Sequence, residues 1–230
     1  MSLKLRFSNT DTKLEVGVDE AGRGCFWGPL VAGAVIWPYE DDFTEEHREL
    51  LPKIKDSKLI RPKPRKLIAE QIQQLAVDSG VGFVTAQEID SIGITVANQT
   101  AFQRAVGGLN TPFERILIDG ILGLGSVVEE GTEVETIIDG DALYTSIAAA
   151  SIIAKVEHDK YIEKWCAGHE IEAERYNLMS CMGYGTLKHR TAIKEYGLLE
   201  DHRRIFLKNT LPGLATVITK PKEVCLIQDE

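Results

Sequence analysis

The sequence predicts an α/β fold, a mixed sheet covered by helices with the C-terminal third forming a helical cap. Three observations carry this. Apolar strand-like runs at residues 14–19, 30–37 and 80–86 arrive early and nearly hairpin-like. Two further runs, 116–119 and 134–138, are separated from them by helical segments. The last third shows helical period without strand signals.

Taken in order, residues 14–19 form a short apolar strand ending in Asp19. Residues 30–37, bracketed by Pro29 and Pro38, carry the small-residue run Val31-Ala32-Gly33-Ala34-Val35-Ile36, which suits burial on both faces. An acidic segment, 44–51, reads as a short helix with Thr44 as its cap. Pro62 or Pro64 opens a longer helix whose Ile68, Ile72, Leu75 and Ala76 share one face. Residues 95–109 are helical and end in Gly107-Gly108. Residues 143–165 form the longest helical segment, and its small residues suit close packing on a sheet. Shorter helices follow around 170–177 and 186–196, then a tail. The expected division is a catalytic domain over residues 1–165 and a helical extension with tail over 166–230.

At 230 residues and 43% hydrophobic composition the chain can bury a real core. No apolar run reaches a membrane span, and the first residues lack a signal-peptide pattern, so a cytoplasmic protein without membrane contact is expected. The four cysteines Cys25, Cys166, Cys181 and Cys225 lie far apart, with no Cys-x-x-Cys pair, which argues for reduced thiols and against zinc. A net charge of −9 argues against a generic nucleic-acid binder. Local charge differs: residues 53–66 and 188–204 are rich in Lys and Arg, while Glu129, Glu130, Glu133 and Glu135 form an acidic run. The bland reading of each run is a solvated face.

Carboxylates at element ends stand out. Asp19 and Glu20 close the first strand, Asp119 closes the fourth, and Asp141 precedes the long helix. Each alone reads as a turn or cap residue. Together, at the ends of elements in one α/β chain, they suit Mg²⁺ or Mn²⁺, which prefer oxygen ligands. Two such ions can drive phosphodiester hydrolysis, which points to a nuclease. Neighbouring strand residues point to opposite faces, so Asp19 and Glu20 are expected to share a site only if the strand ends between them. Gly22-Arg23-Gly24 offers free backbone N–H groups for close approach to a ribose or an anion. Lys155, in the small-residue helix, either snorkels to solvent or reaches a phosphate or an acidic ligand. A metal-independent ribonuclease would need acid–base histidines, and the five present show no evident pair.

Asp19-Glu20-Ala21-Gly22-Arg23-Gly24, Asp56-Ser57-Lys58, Ile118-Asp119-Gly120, Gly140-Asp141 with residues 146–156, and Gly183-Tyr184-Gly185-Thr186 with His189 occur in the order seen in type 2 ribonucleases H. Over roughly residues 14–200 the chain resembles the ribonuclease HII family. The resemblance implies a ribonuclease H-like mixed five-stranded sheet flanked by helices, with a C-terminal helical extension. It implies that Asp19, Glu20, Asp119 and Asp141 bind two Mg²⁺ or Mn²⁺ ions. It gives Gly22, Arg23 and Gly24 the reading of a ribonucleotide 2′-hydroxyl, and Tyr184 the packing on the next deoxyribose. Lys58 and Lys155 become candidate phosphate or site contacts. The implied reaction is hydrolysis 5′ to a ribonucleotide, leaving a 3′-hydroxyl and a 5′-phosphate. Implied substrates are RNA–DNA hybrids and duplex DNA with embedded ribonucleotides, in ribonucleotide removal and DNA replication or repair, by a monomer.

The chain departs from the family pattern in three places. His158-Asp159 stands where an arginine often precedes the aspartate, Met182 stands where a lysine often precedes the glycine-tyrosine turn, and Ile121-Leu122-Gly123-Leu124-Gly125 lacks a common proline. None removes a proposed metal ligand. The rival readings are a catalytically inactive hybrid-binding module, with salt-sensitive binding and no cleavage, and an actin-like phosphotransferase, which would bind nucleotide but leave Arg23 and Tyr184 without a role.

Overall fold

The computed structural model of the chain describes residues 3–125 and 131–210; Glu129, Glu130, Cys225 and the tail beyond 210 lie outside them. Its five strands are β1 (Glu15–Ala21), β2 (Leu30–Ile36), β3 (Asp78–Val84), β4 (Arg115–Asp119) and β5 (Glu133–Ile137), in the order β3-β2-β1-β4-β5. β1 pairs antiparallel with β2, and β2 with β3, whereas β4 lies parallel to β1 and β5 parallel to β4. The sheet is therefore mixed and five-stranded, as the sequence predicts. The parallel members end on the same edge, where βα connections leave room for a site.

The helices are α1 (Glu45–Leu50), α2 (Pro62–Leu75), α3 (Ala86–Ile92), α4 (Ile94–Gly107), α5 (Thr145–Gly168), α6 (Glu170–Arg175), α7 (Leu178–Cys181), α8 (Leu187–Tyr196) and α9 (Arg204–Thr210). On one face of the sheet Val16, Val18, Ala32, Ala34, Ile116 and Ile118 pack with Ala97, Ala101 and Phe102 of α4. On the other face α5 lies directly on β1 and β2, and α2 covers it through Ile68, Ala69 and Ile72. Sandwiching explains why every α5 residue from Thr145 to Ala154 is buried and why the stretch holds only small or apolar residues. β2 is buried along its whole length, as the small-residue run predicts. α6, α7 and α8 gather around Trp27, Ile162, Cys166 and Tyr176 in a separate cluster.

Three short helices were not anticipated. β3 stops at Val84 rather than Ala86 because Thr85 turns the chain and accepts a hydrogen bond from the Glu88 amide, which starts α3. α7 is a single turn entered through left-handed Asn177. At the start of α9 the Asp90 carboxylate of α3 accepts from the amides of Arg204 and Ile205, each at 2.9 Å, a cap supplied from across the fold.

The far edge of the sheet is tied by buried Arg115. Its guanidinium donates to Asp11 at 2.7 Å, Glu15 at 2.7 Å and Glu133 at 2.9 Å. Glu133, read from sequence as part of a solvated acidic run, is thus committed to an ion-pair network. Satisfying a buried guanidinium on several sides is what makes its burial tolerable.

α5 can approach the sheet only because β1 and β2 carry glycine beneath it. A Cβ at Gly17 would stand 2.2 Å from the Ser146 carbonyl carbon, and one at Gly33 would stand 2.4 Å from the Ala150 carbonyl oxygen. Both obstacles are backbone and cannot rotate away. Gly33→Ala should therefore lower the unfolding free energy by about 1–3 kcal/mol or more, through overpacking. A urea midpoint equal to that of the parent would show that α5 is free to shift.

Candidate active site

The site forms where β1 and β4 end side by side. Parallel register places Val18 beside Ile118, so Asp19 and Asp119 leave adjacent strand ends. The strand does not stop between Asp19 and Glu20, as sharing a site was expected to require; β1 continues to Ala21. Asp19 accordingly shares the α5 face with Gly17 and couples to Ser151 of α5, while Glu20 turns to the α4 face and couples to Asn98. Asp119 lies close enough to both to raise their pKa values.

Asp119 is aimed by backbone. Its Oδ1 accepts from the Gly140 amide at 2.7 Å and from the Asp141 amide at 3.3 Å. This bond fastens the end of β4 to the turn that carries Asp141. Asp141 lies in the one-turn helix Gly140–Ala142, and extended Tyr144, not Asp141, is the cap residue of α5. The carboxylate is thereby left free of a capping duty.

The electrostatics are those of crowded anions. Burial, then Glu20 and Asp119, push the Asp19 carboxyl well above the usual carboxylate range. Burial also raises Glu20, although Arg23 and the Asn98 amide offset part of the effect. Burial, Asp119 and Asp56 raise Asp141. Lys58 supplies a nearby positive charge, its Nζ 3.9 Å from Asp141 Oδ2 while the side chain remains 80% exposed. Burial alone would lower the Lys58 pKa, but Asp141 and Asp56 outweigh it and raise it. Asp56 starts the Lys58 turn by accepting the Lys58 amide at 2.9 Å, and the Ser57 hydroxyl meets that of Ser151 at 2.9 Å, which pins the turn to α5.

Among the described residues, no three acidic, histidine or cysteine side chains are drawn together tightly enough to form a finished metal cage. The four carboxylates are an electrostatic cluster, not a closed cage. The donor set nevertheless fits a hard divalent cation. Every donor is an oxygen, neighbouring carboxylates raise Asp19, Glu20 and Asp141, and Lys58 and Arg23 offset only part of this. Asn98 lies buried on α4 beside Glu20, and neither of its amide atoms makes a bond of full hydrogen-bond geometry.

The chain runs from Glu20 straight into the glycine turn. Gly22 has φ +82°, and a Cβ there would stand 2.4 Å from Cδ2 of His158 on α5, so the turn sits on that ring. Gly183 zips this loop to the tyrosine turn: its carbonyl accepts from the amides of Phe26 at 2.8 Å and Trp27 at 3.2 Å. The space beside the Gly24 Cα ends at the Tyr184 ring, 3.9 Å from where a Cβ would be. Tyr184 is 41% exposed and presents its ring beside the turn. The Lys155 ammonium lies 5.7 Å from the centre of that ring and donates to Asp159 at 2.8 Å. Lys155 thus neither snorkels freely nor touches a proposed metal ligand. Burial would raise Asp159, but hydrogen bonds from His158 and Lys155 leave it lowered. Arg65 of α2 also donates to Asp159 at 3.2 Å, bringing a guanidinium to the neighbourhood where the chain carries His158.

The sequence reading missed Asn98, Ser151, Arg65, His202 and Arg203. Of the basic run at 188–204, His189, His202 and Arg203 are buried, so the solvated-face reading fails for them. The reading of five histidines without a pair is also corrected: Nε2 of His189 lies 3.1 Å from Nε2 of His202. The signal lay in the apolar Ile205-Phe206-Leu207 that follows, which draws the preceding residues inward. Burial pushes the His202 pKa down to about 3 and lowers that of His189 as well.

Comparison with known proteins identifies the family. Residues 16–210 match the sequence family described as Ribonuclease HII. A Ribonuclease HII from Thermosynechococcus vestitus is 40% identical over 200 residues, covering 87% of this chain and 86% of its own length. Among solved structures, ribonuclease H2 from Pyrococcus horikoshii OT3 superposes with a TM-score of 0.66 at 27% identity, covering 83% of this chain and 92% of that one. The RNase HII of a PCNA:RNase HII complex from Archaeoglobus fulgidus gives a TM-score of 0.66 at 26% identity, covering 87% and 96%.

The raised Asp19 pKa has a measurable consequence. Ionisation opposes folding once pH exceeds the ordinary value of 3.8, and the cost grows until the folded-state value is reached. At neutral pH, in EDTA, Asp19→Asn should therefore melt several degrees above the parent, with weaker stabilisation by added Mn²⁺. A lower melting temperature by differential scanning fluorimetry would contradict this account of the cluster.

Proposed function

This chain belongs to the ribonuclease HII family and is an endoribonuclease of RNA–DNA hybrids, and from that premise we propose that it also nicks duplex DNA 5′ to embedded ribonucleotides. One observation carries the reading. The segment that leaves the carboxylate cluster at Glu20 becomes, within four residues, the turn that abuts Tyr184. Two of the four carboxylates and the glycine turn thus lie on one continuous segment, the end of β1 and the residues that follow it.

Asp19, Glu20, Asp119 and Asp141 would hold two divalent ions, Mg²⁺ or Mn²⁺. Such ions, when bound, supply activation of a water and stabilisation of the departing oxygen. The chain's own groups do the rest. The backbone of Gly22, Arg23 and Gly24 meets the ribose and reads its 2′-hydroxyl, the group that separates RNA from DNA. The exposed face of Tyr184 packs on the sugar that follows. Lys58, extended into solvent beside Asp141, meets a phosphate of the cleaved strand. Lys155 holds Asp159 and backs the Tyr184 ring. The 2′-hydroxyl serves recognition and is not the nucleophile, so the products carry a 3′-hydroxyl and a 5′-phosphate. Such chemistry suits ribonucleotide removal during replication and repair. Among the described residues no helix is long and apolar enough to cross a membrane.

The test is cleavage of an end-labelled duplex containing one ribonucleotide, with Mg²⁺, Mn²⁺ or EDTA, and with the product ends mapped. Metal-dependent nicking with a 3′-hydroxyl end is expected; duplex binding without cleavage would favour an inactive binding module. Asp119→Asn should lose turnover by at least about a hundredfold while remaining folded, and a near-normal rate would remove Asp119 from the ligand set. Tyr184→Ala should harm cleavage at single ribonucleotides more than within long hybrids, and equal losses on both would end its junction role.

A further inference from the structure

A chain of hydrogen bonds runs from Tyr184 to the segment after α8 through two buried histidines. Nδ1 of His189 lies 2.9 Å from the Tyr184 carbonyl oxygen, which can only accept, so Nδ1 carries the proton. Nε2 of His189 then accepts from Nε2 of His202 at 3.1 Å. At its other end, Nδ1 of His202 receives the Leu199 amide at 2.7 Å, which leaves the His202 proton on Nε2. Each tautomer is fixed by what the opposite nitrogen touches. The groups packed around the pair are Cys181, whose sulfur is 3.6 Å from His189 Nδ1, and the ring of Tyr176. Neither carries charge at neutral pH, and both histidines are held neutral by burial.

The next residue acts on the other half of the recognition site. Arg203 is fully buried, and burial lowers its pKa only to about 10, so it stays charged. Its Nη1 donates to the Arg23 carbonyl at 3.0 Å and its Nε to the Gly28 carbonyl at 2.9 Å. Its backbone amide donates to the Phe26 carbonyl at 2.8 Å. Three points of the loop between β1 and β2 are therefore held from one residue. Charge-assisted bonds of this kind fix both distance and direction.

We propose that His202-Arg203 is a positioning clamp that sets the spacing between the 2′-hydroxyl-reading turn and the Tyr184 ring. Arg203 holds the Arg23 carbonyl in the middle of the Gly22–Gly24 turn, and His202, through His189, holds the backbone of Tyr184. The two residues contact no reacting atom. Their effect is on discrimination between a single ribonucleotide and a continuous hybrid, because only the former requires both reading elements at a defined separation. The proposal rests on the recognition roles given to the turn and to Tyr184 above.

The experiment measures kcat and KM of Arg203→Lys and His202→Asn on a single-ribonucleotide duplex and on a continuous hybrid, and compares backbone amide NMR spectra with the parent. Arg203→Lys keeps the charge but loses the forked pair of bonds. For both variants kcat/KM on the single-ribonucleotide duplex should fall by about tenfold or more, with a change under about threefold on the hybrid. The Gly24 amide should move in the first variant, and the Tyr184 and Gly185 amides in the second. Equal proportional losses on both substrates, or unmoved amides, would overturn the clamp. If the parent ignores single ribonucleotides, the recognition reading fails, and the amide shifts alone decide whether the clamp exists. Should a variant not fold, ¹⁵N-histidine spectra of the parent serve. They should show Nδ1–H on His189 and Nε2–H on His202; the opposite tautomers would refute it.

Discussion

The packing of α5 onto bare backbone at Gly17 and Gly33 is the constraint on which the rest depends. A helix at ordinary distance from the sheet would hold Ser151 away from Asp19 and away from the Ser57 hydroxyl that anchors the Lys58 turn. It would also lift His158 from beneath Gly22 and move Lys155 from the Tyr184 ring. Two missing side chains thus place groups from the start of α5 to its middle. Dispersion and apolar burial hold the contact, since Ala148, Ala149, Ile152 and Ile153 are buried between the sheet and α2.

Set against that rigid packing, the carboxylates are a deliberate electrostatic liability. Asp19 and Glu20 leave opposite faces of one strand, so the sheet itself keeps them from collapsing together, and Asp119 mediates between them. Burial that is only partly compensated raises their pKa values, the pattern expected of a candidate functional site. By contrast, the acids around Arg115 at the other end of the sheet are satisfied, with Asp11 held well below the usual carboxylate range by its guanidinium partner. The satisfied ion-pair network and the candidate site sit at opposite ends of the same strands.

Much of this was legible in the sequence, for identifiable reasons. Strand ends with acids, the glycine turn and the small-residue helix are local patterns, and they marked the sheet, α5 and the candidate residues. β2 read correctly because burial on both faces leaves no polar alternation. What stayed hidden depends on contacts between distant segments. α3 and α9 are each a few residues long, and α9 starts against Asp90 of α3, a cap that no local window contains. His202 and Arg203 sit in a run that reads as solvated by charge alone, and only the apolar Ile205-Phe206-Leu207 just beyond it signals the inward turn. Asn98 was passed over because nothing near it in the chain hints at Glu20. The side-chain directions of Asp19 and Glu20 required knowing that β1 continues to Ala21.

The cluster that supports the tyrosine turn has an optical consequence. Of the three tryptophans, Trp27 and Trp165 sit together, ring centres 4.7 Å apart and planes inclined at 62°. Trp37 lies elsewhere, packed edge-on against Phe43 and His47. Two indoles that close make an edge-to-face pair, the preferred aromatic geometry, and each reports on the surroundings of the other. Trp27 lies on the loop that Gly183 grips, and Trp165 lies on α5. The molecule therefore carries an intrinsic chromophore on the loop between β1 and β2, one that needs no attached dye.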